Sequence, residues 1–276
     1  MKYLVPLGLI ALLLAGCGAD AEEQSQPSSA EPEKQQEAEV KDEKEKAEEE
    51  SEEKQKNQEE VPEEPPITYE IQEDASLESS EETESSAVLV TIDDAPDSYS
   101  LEMAEYLKEA EVPAIFFVNG HFIQDEEGKQ MLKEISDMGF HIGNHTMNHV
   151  NLTETSEEEQ REEIVQLNQE IESITGEKPE FFRAPFGLNS DESTAIVEEE
   201  GMLSMNWTYG YDWEADYQDA DALADIMVNT EYLRDGANLL MHDREWTKDA
   251  LPQMVDGFRE NKYEFIDPGQ IETDSK

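Results

Sequence analysis

Apolar positions divide the 276-residue chain into three stretches of different character. From residue 87 onward, short apolar runs alternate with longer amphipathic ones. AVLVTID, AIFFVNG, FHIGNH, FFRAPF, MLSMNWT, ANLLMHD and YEFID read as seven buried β-strands. The segments between them carry a helical period. The clearest follows Thr155 and Ser156, either of which can cap it with a Glu three residues on. It places Ile164, Leu167, Ile171 and Ile174 on one face and stops at Gly176. SLEMAEYLKEA and TKDALPQMVDGFRE repeat the scheme. Strands separated by helices predict a parallel sheet, and near-continuous apolar strands predict that both its faces are covered. The expected class is α/β, with a closed or nearly closed barrel of βα units as the first reading and an open doubly wound sheet as the alternative.

The other two stretches lack this alternation. Lys2 precedes an apolar run at 3–15, of signal-peptide length and short for a bilayer span. It ends in Leu14-Ala15-Gly16-Cys17, which resembles a bacterial lipobox, where the signal peptide is cut before the cysteine and the cysteine is lipidated. Cys17 is the only cysteine, so the exported part needs no disulfide. An ordinary secretory signal with a chance cysteine is the alternative; both readings take the protein out of the cytoplasm. The lipobox reading anchors it to the outer face of the cytoplasmic membrane. Residues 18–86 are rich in Glu, Lys, Gln, Ser and Pro and are predicted to be a disordered tether with at most transient helix. About 70 flexible residues reach on the order of 45 Å. The expected organisation is a lipoprotein signal at 1–17, a tether at 18–86 and one folded domain at 87–276, of ordinary size for a single core.

The formal net charge is −51, and the 87–276 region alone holds 44 acidic and 12 basic residues. Such a chain repels nucleic acid and anionic lipid, so neither is an expected partner, and contact with the membrane is left to the N-terminal lipid. A monomer is expected.

Against this acidic background, three of the five histidines fall in HIGNHTMNH, residues 141–149. Polar residues of catalytic type end the predicted strands: Asp93 and Asp94 the first, His145 the third, Arg183 the fourth, His242 and Asp243 the sixth. In parallel α/β folds the C-terminal strand ends meet on one face, and active sites are built there. His145 and His149, spaced His-x-x-x-His, suit two imidazole ligands on one metal, and a carboxylate from Asp93 or Asp94 completes a set of two His and one Asp. Three protein ligands leave a position for water or substrate, which fits catalytic zinc better than structural zinc. The same donors accept cobalt, nickel or manganese. Where the first strand runs into Ala95-Pro96, a turn can aim both aspartates at one site, one as ligand and one as general base.

TIDDAP, HTMNH, RAPFG, YDW and LLMHD, in this order, resemble the five motifs of the polysaccharide deacetylases, carbohydrate esterase family 4 or the NodB-homology domain. The resemblance extends from residue 87 to about residue 267. It implies a distorted (β/α)7 barrel and a hydrolase that removes acetyl groups from the linear amides of a glycan. By resemblance, Asp93 is the general base, Asp94, His145 and His149 hold a divalent metal, Arg183 orients the base, and Asp212 supports the general acid His242. Pro185, Phe186 and Trp213 are implied in substrate binding, with the Phe186 backbone N–H as an oxyanion donor. Peptidoglycan N-acetylglucosamine is the first substrate expected. Chitooligosaccharides, an N-acetylglucosamine exopolysaccharide and acetylxylan follow, and a carbohydrate-binding lipoprotein without turnover is the reading from another class.

Two positions depart from the family pattern. Ala95 stands where Gly is usual, which would be strained if the turn needs positive φ there. Tyr209 stands where a further Asp often begins the fourth motif. Of the remaining conspicuous residues, Trp207 and the methionines are expected in the core, His121 at the groove rim or in a structural role, and His141 packed or exposed. Trp246 is open to sugar stacking or loop packing.

Overall fold

A computed structural model describes residues 68–80 and 85–273. The expected signal peptide, Cys17 and the greater part of the tether lie outside the described residues. A short hairpin, β1 (Tyr69–Ile71) and β2 (Leu77–Ser79), comes first in the chain. Seven further strands fall on the seven apolar runs: β3 (Ser86–Ala95), β4 (Ala114–Val118), β5 (His141–Asn144), β6 (Phe181–Phe182), β7 (Leu203–Ser204), β8 (Ala237–His242) and β9 (Tyr263–Phe265). These seven pair in parallel, in the order β7-β6-β5-β4-β3-β8. β9 pairs with the start of β3, at Ser86–Val88. The sheet curls into a half-barrel, and beyond β7 a parallel bridge from Tyr209 to Leu239 ties the chain back to β8. The expected barrel is therefore observed, and the open doubly wound alternative is not.

The strands are apolar on both sides because both sides are covered. Val88, Val90, Ile92 and Phe116 face one core layer with Met103, Leu107, Met254 and Phe258, whereas Leu89, Ile115, Phe117 and Phe181 face another. The outer layer is built by α1 (Ser100–Glu109), α2 (Glu126–Asp137), α3 (Glu157–Thr175), α4 (Asp191–Glu199), α5 (Ala220–Asn229) and α6 (Glu245–Glu260). The expected capping of α3 is seen: the Ser156 side chain accepts from Glu159 N–H, and Gly176, at φ 89°, ends the helix. Ile164, Leu167 and Ile171 are buried beneath it, and Ile174 is half-buried.

The folded region begins earlier than residue 87. The β1–β2 hairpin is antiparallel and closes the N-terminal end of the barrel strands. Tyr69 bridges Ile271, Leu77 N–H donates to Gly236 O, and both side chains join the layer of Leu89, Ile115 and Phe117. Gly236, at φ 70°, is required here, since a Cβ would stand 1.8 Å from Leu77 O. The boundary expected at residue 86 is thereby corrected. The few apolar side chains of this Glu- and Ser-rich stretch find long-range partners that local composition does not register.

Candidate active site

The C-terminal ends of β3, β5 and β8 converge on a pocket of about 340 Å3, lined by Asp93, Asp94, His145, His149, Phe186, Trp207, Asp212, Trp213, Leu240, His242 and Arg244. Asp93 and His242 are register partners on neighbouring strands. The β3–β4 pairing shifts register between Ile92 and Ala95, and Asp94 adopts φ 62°. This irregularity lets two successive carboxylates address one site, where regular pleating would send them to opposite faces. The positive φ thus falls on Asp94 and not on Ala95, which lies buried within β3 without that strain.

Asp93 is buried and held by Arg183, whose Nη1 donates to Asp93 Oδ1 at 2.7 Å. The guanidinium is itself fully enclosed. It donates also to Thr91 Oγ1, Met205 O, Asn206 O and Asn238 Oδ1, and lies 4.3 Å from the Phe117 ring centre. So many partners fix its plane, and with it the Asp93 carboxylate, in one orientation. Asp93 Oδ2 remains toward the site, 3.5 Å from His145 Nε2.

Ligand atoms of Asp94, His145 and His149 all lie within 4.8 Å of one another, the only such group of three among the described residues. His145 Nδ1 is 2.6 Å from Arg183 O, which acts as acceptor, so the ring carries its proton there and presents Nε2 as a lone pair. Burial, then the neighbouring His145, depresses the His149 pKa against the pull of Asp94 and Asp93, favouring the neutral, ligating form. Burial alone would raise Asp94, but His242, His145, His149 and Arg244 together hold it below the usual carboxylate range. A deprotonated carboxylate and two imidazoles with free nitrogens are a donor set that fits a divalent metal. The loop carrying the histidines is strained, with Thr146 at φ 68° and His149 at φ 54°. Glu163 of α3 holds it by accepting from Asn148 N–H and Asn148 Nδ2, each at 2.7 Å.

At the end of β8, His242 Nδ1 lies 2.7 Å from Asp212 Oδ1, leaving Nε2 for the pocket. Asp212 is buried and also accepts from His242 N–H and Thr247 Oγ1. Burial opposes the charged imidazole, but the hydrogen bond and charge of Asp212, with Asp93 and Asp94 behind it, outweigh burial and raise the His242 pKa. Phe186 (60% exposed) and Trp213 (46% exposed) form the apolar walls, with the Phe186 ring against His149 and the Trp213 ring against His242. Pro185 is buried and is not among the residues lining the pocket. Phe186 sits at φ 59°, and its N–H meets no acceptor among the described residues.

Of the other conspicuous residues, Trp207 stands elsewhere than expected. Trp207 is half-buried and lines the pocket; it is not core. Tyr209 is buried with its hydroxyl donating to Met227 O, away from His242. Trp246 donates from Nε1 to Asp212 O and so braces the Asp212–His242 pair without walling the groove. Asp243 accepts from the backbone of Asp97, Tyr99 and Ser100 and fixes the chain after β3. His121 is exposed against Phe122, and His141 lies at the start of β5, near Asp267. Arg244 and Asn119 were not anticipated. Arg244 Nη2 donates to Asp94 Oδ2 and Asn119 Nδ2 to Asp94 Oδ1, both at 3.0 Å. Each adjoins a strand end, Asn119 directly after β4 and Arg244 two residues after β8, and that position was the available signal.

The family profile for polysaccharide deacetylase matches residues 80–205. Over 189 residues the chain is 28% identical to the peptidoglycan-N-acetylmuramic acid deacetylase PdaA of Bacillus subtilis, covering 66% of this chain and 70% of that protein. It is 26% identical over 186 residues to a peptidoglycan-N-acetylglucosamine deacetylase of Bacillus cereus, covering 65% and 66%. Among solved structures, a mutant of a CE4 family pseudoenzyme from Bacillus anthracis, with restored enzymatic activity, superposes with a TM-score of 0.61 at 30% identity, covering 68% of each chain. The curled parallel barrel, the clustered strand-end residues and these likenesses together show that the chain belongs to the polysaccharide deacetylase family, carbohydrate esterase family 4.

Proposed function

We propose that this protein is a metal-dependent hydrolase that removes N-acetyl groups from amino sugars of a cell-envelope glycan, with peptidoglycan as the polymer. The observation that carries the reading is that Asp93 and His242 line one pocket with the Asp94, His145 and His149 cluster, each braced by its own partner, Arg183 and Asp212. A divalent ion held by Asp94, His145 and His149, a donor set that suits zinc, would supply Lewis acidity to the acetyl carbonyl and to the attacking water. Asp93 Oδ2 takes a proton from the attacking water, because Arg183 occupies Oδ1 and leaves Oδ2 toward the site. The Phe186 N–H is available to the developing oxyanion. His242, kept protonated by Asp212, delivers its proton from Nε2 to the departing amine, and free amine and acetate result. Phe186 and Trp213 offer apolar faces on which a sugar ring can stack.

The same reading places the protein outside the cytoplasm, lipid-anchored at Cys17, with an acetylated glycan as its partner and a monomer as its working form. The lipobox-like run and the peptidoglycan deacetylases among its relatives support this. Among the described residues no helix is long and apolar enough to cross a membrane.

The test is acetate release from peptidoglycan, N-acetylglucosamine oligomers and acetylxylan by the protein stripped of metal and resupplied with zinc or cobalt. Release that disappears with the metal and returns with it is expected. A folded, metal-loaded protein that releases nothing contradicts the reading and leaves a carbohydrate-binding protein.

A further inference from the structure

The pocket contains one Lys or Arg side chain among its lining residues, Arg244, and the proposed chemistry does not use it. It stands immediately before α6 and is held from two sides. Nη1 donates to Asp243 O at 2.7 Å, and Nη2 donates to Asp94 Oδ2 at 3.0 Å. A guanidinium has five N–H donors. The other three meet no acceptor among the described residues, and the side chain is 37% exposed. The result is a fork fixed in plane, with donors to spare, beside the carboxylate that adjoins the reacting position. Arg183 cannot share this role, because it is fully enclosed behind Asp93.

A planar guanidinium with unused donors is built to receive a carboxylate. It also answers a difficulty specific to this chain. With a net charge of −51 the protein repels anionic glycans, and a neutral sugar needs no cation in the groove. In a 2-acetamido sugar the carbon bearing the nitrogen is bonded to C3, so a group on O3 lies within a few bonds of the acetamide. With the acetyl carbonyl at the Asp94, His145 and His149 cluster, an O3 substituent comes within reach of a residue that already touches Asp94.

We propose that Arg244 is a specificity-determining residue that binds a carboxylate carried on O3 beside the reacting acetamide, so that an acidic amino sugar of the N-acetylmuramic acid type is preferred over neutral N-acetylglucosamine. The proposal rests on the deacetylase reading and deepens it.

The test compares the full-length protein with Arg244→Met and Arg244→Lys on two glycans of equal length: a peptide-free muramyl-containing oligosaccharide and an N-acetylglucosamine oligomer. Acetate release gives kcat and KM, and calorimetric binding to metal-loaded protein that also carries Asp93→Asn gives affinity without appreciable turnover. The wild type is expected to prefer the muramyl glycan. In Arg244→Met the ratio of kcat/KM between the two glycans should fall by about tenfold, through KM, with partial recovery in Arg244→Lys. Any loss through Asp94 acts on both substrates and cancels in the ratio. An unchanged ratio, or equal wild-type affinity for the two glycans, overturns the proposal. Preferential muramyl binding without acetate release from either glycan supports the role of Arg244 and overturns the deacetylase reading instead.

Discussion

The two ends of the barrel are built on different terms. At the C-terminal mouth, Asp93, Arg183, His145 and Asp212 are buried polar groups, and Asp94, Thr146, His149 and Phe186 are non-glycine residues at positive φ. At the N-terminal end, the β1–β2 hairpin lays Tyr69 and Leu77 on Leu89, Ile115 and Phe117. The mouth concentrates buried charge and the other end buries apolar surface, while positive φ is shared between them, since Ala75 in the hairpin turn, Glu111 and Lys262 adopt it as well.

The difference can be broken from either side. At the mouth, Asp212→Asn leaves the fold in place but removes the charge that raises His242 above its ordinary pKa. A general acid acts while protonated, so the wild-type rate should hold to higher pH than an ordinary histidine allows and decline as pH rises through the His242 pKa. In the variant, burial is opposed only by the weaker pull of Asp93 and Asp94, and the alkaline limb should move to lower pH. The rate should fall on the order of a hundredfold or more. A pH profile of kcat/KM decides this, and an unmoved alkaline limb removes His242 as the acid.

At the packed end, Leu77→Ala should cost about 2–4 kcal/mol of stability, the ordinary penalty for emptying a buried leucine site, and should leave metal affinity unchanged. Thermal unfolding and metal titration on one preparation test both halves. A change in metal affinity with intact folding would show that the ends are coupled. The smallest effect belongs to Ala95→Gly. Positive φ falls on Asp94, so restoring the family's usual glycine relieves nothing and should cost about 0.5–1 kcal/mol through added chain freedom within β3. A gain in stability or rate would place the strain at Ala95 after all.

The legibility of the two ends differs as well. The seven strands were readable from their apolar runs, which are unbroken where a strand such as β4 is buried on both faces and shorter in the half-buried β7 and β9. Asp93, Asp94, His145 and His242 were readable because parallel strands bring their C-terminal ends together, and five ordered motifs label those ends. The hairpin was not readable: Tyr69 and Leu77 are isolated apolar residues in an acidic stretch, and their burial depends on Gly236 and Ile271, some 160 to 200 positions away. Arg244 and Glu163 were missed for a related reason. In a chain with 70 acidic and 19 basic residues an individual charge carries little information, and only the fold shows that Glu163 holds the histidine loop and that Arg244 touches Asp94. Trp207 was assigned to the core by its type, whereas its position just beyond β7 brings it to the pocket.

The most direct measurement is acetate release by metal-loaded Asp93→Asn, with metal content determined on the same sample. The substituted amide keeps an oxygen for Arg183 but cannot take a proton from water. The account predicts full metal occupancy, an unchanged fold and a rate lower by about a thousandfold. Wild-type turnover, or loss of the metal with Asp93, would contradict it by showing that this carboxylate is not the base.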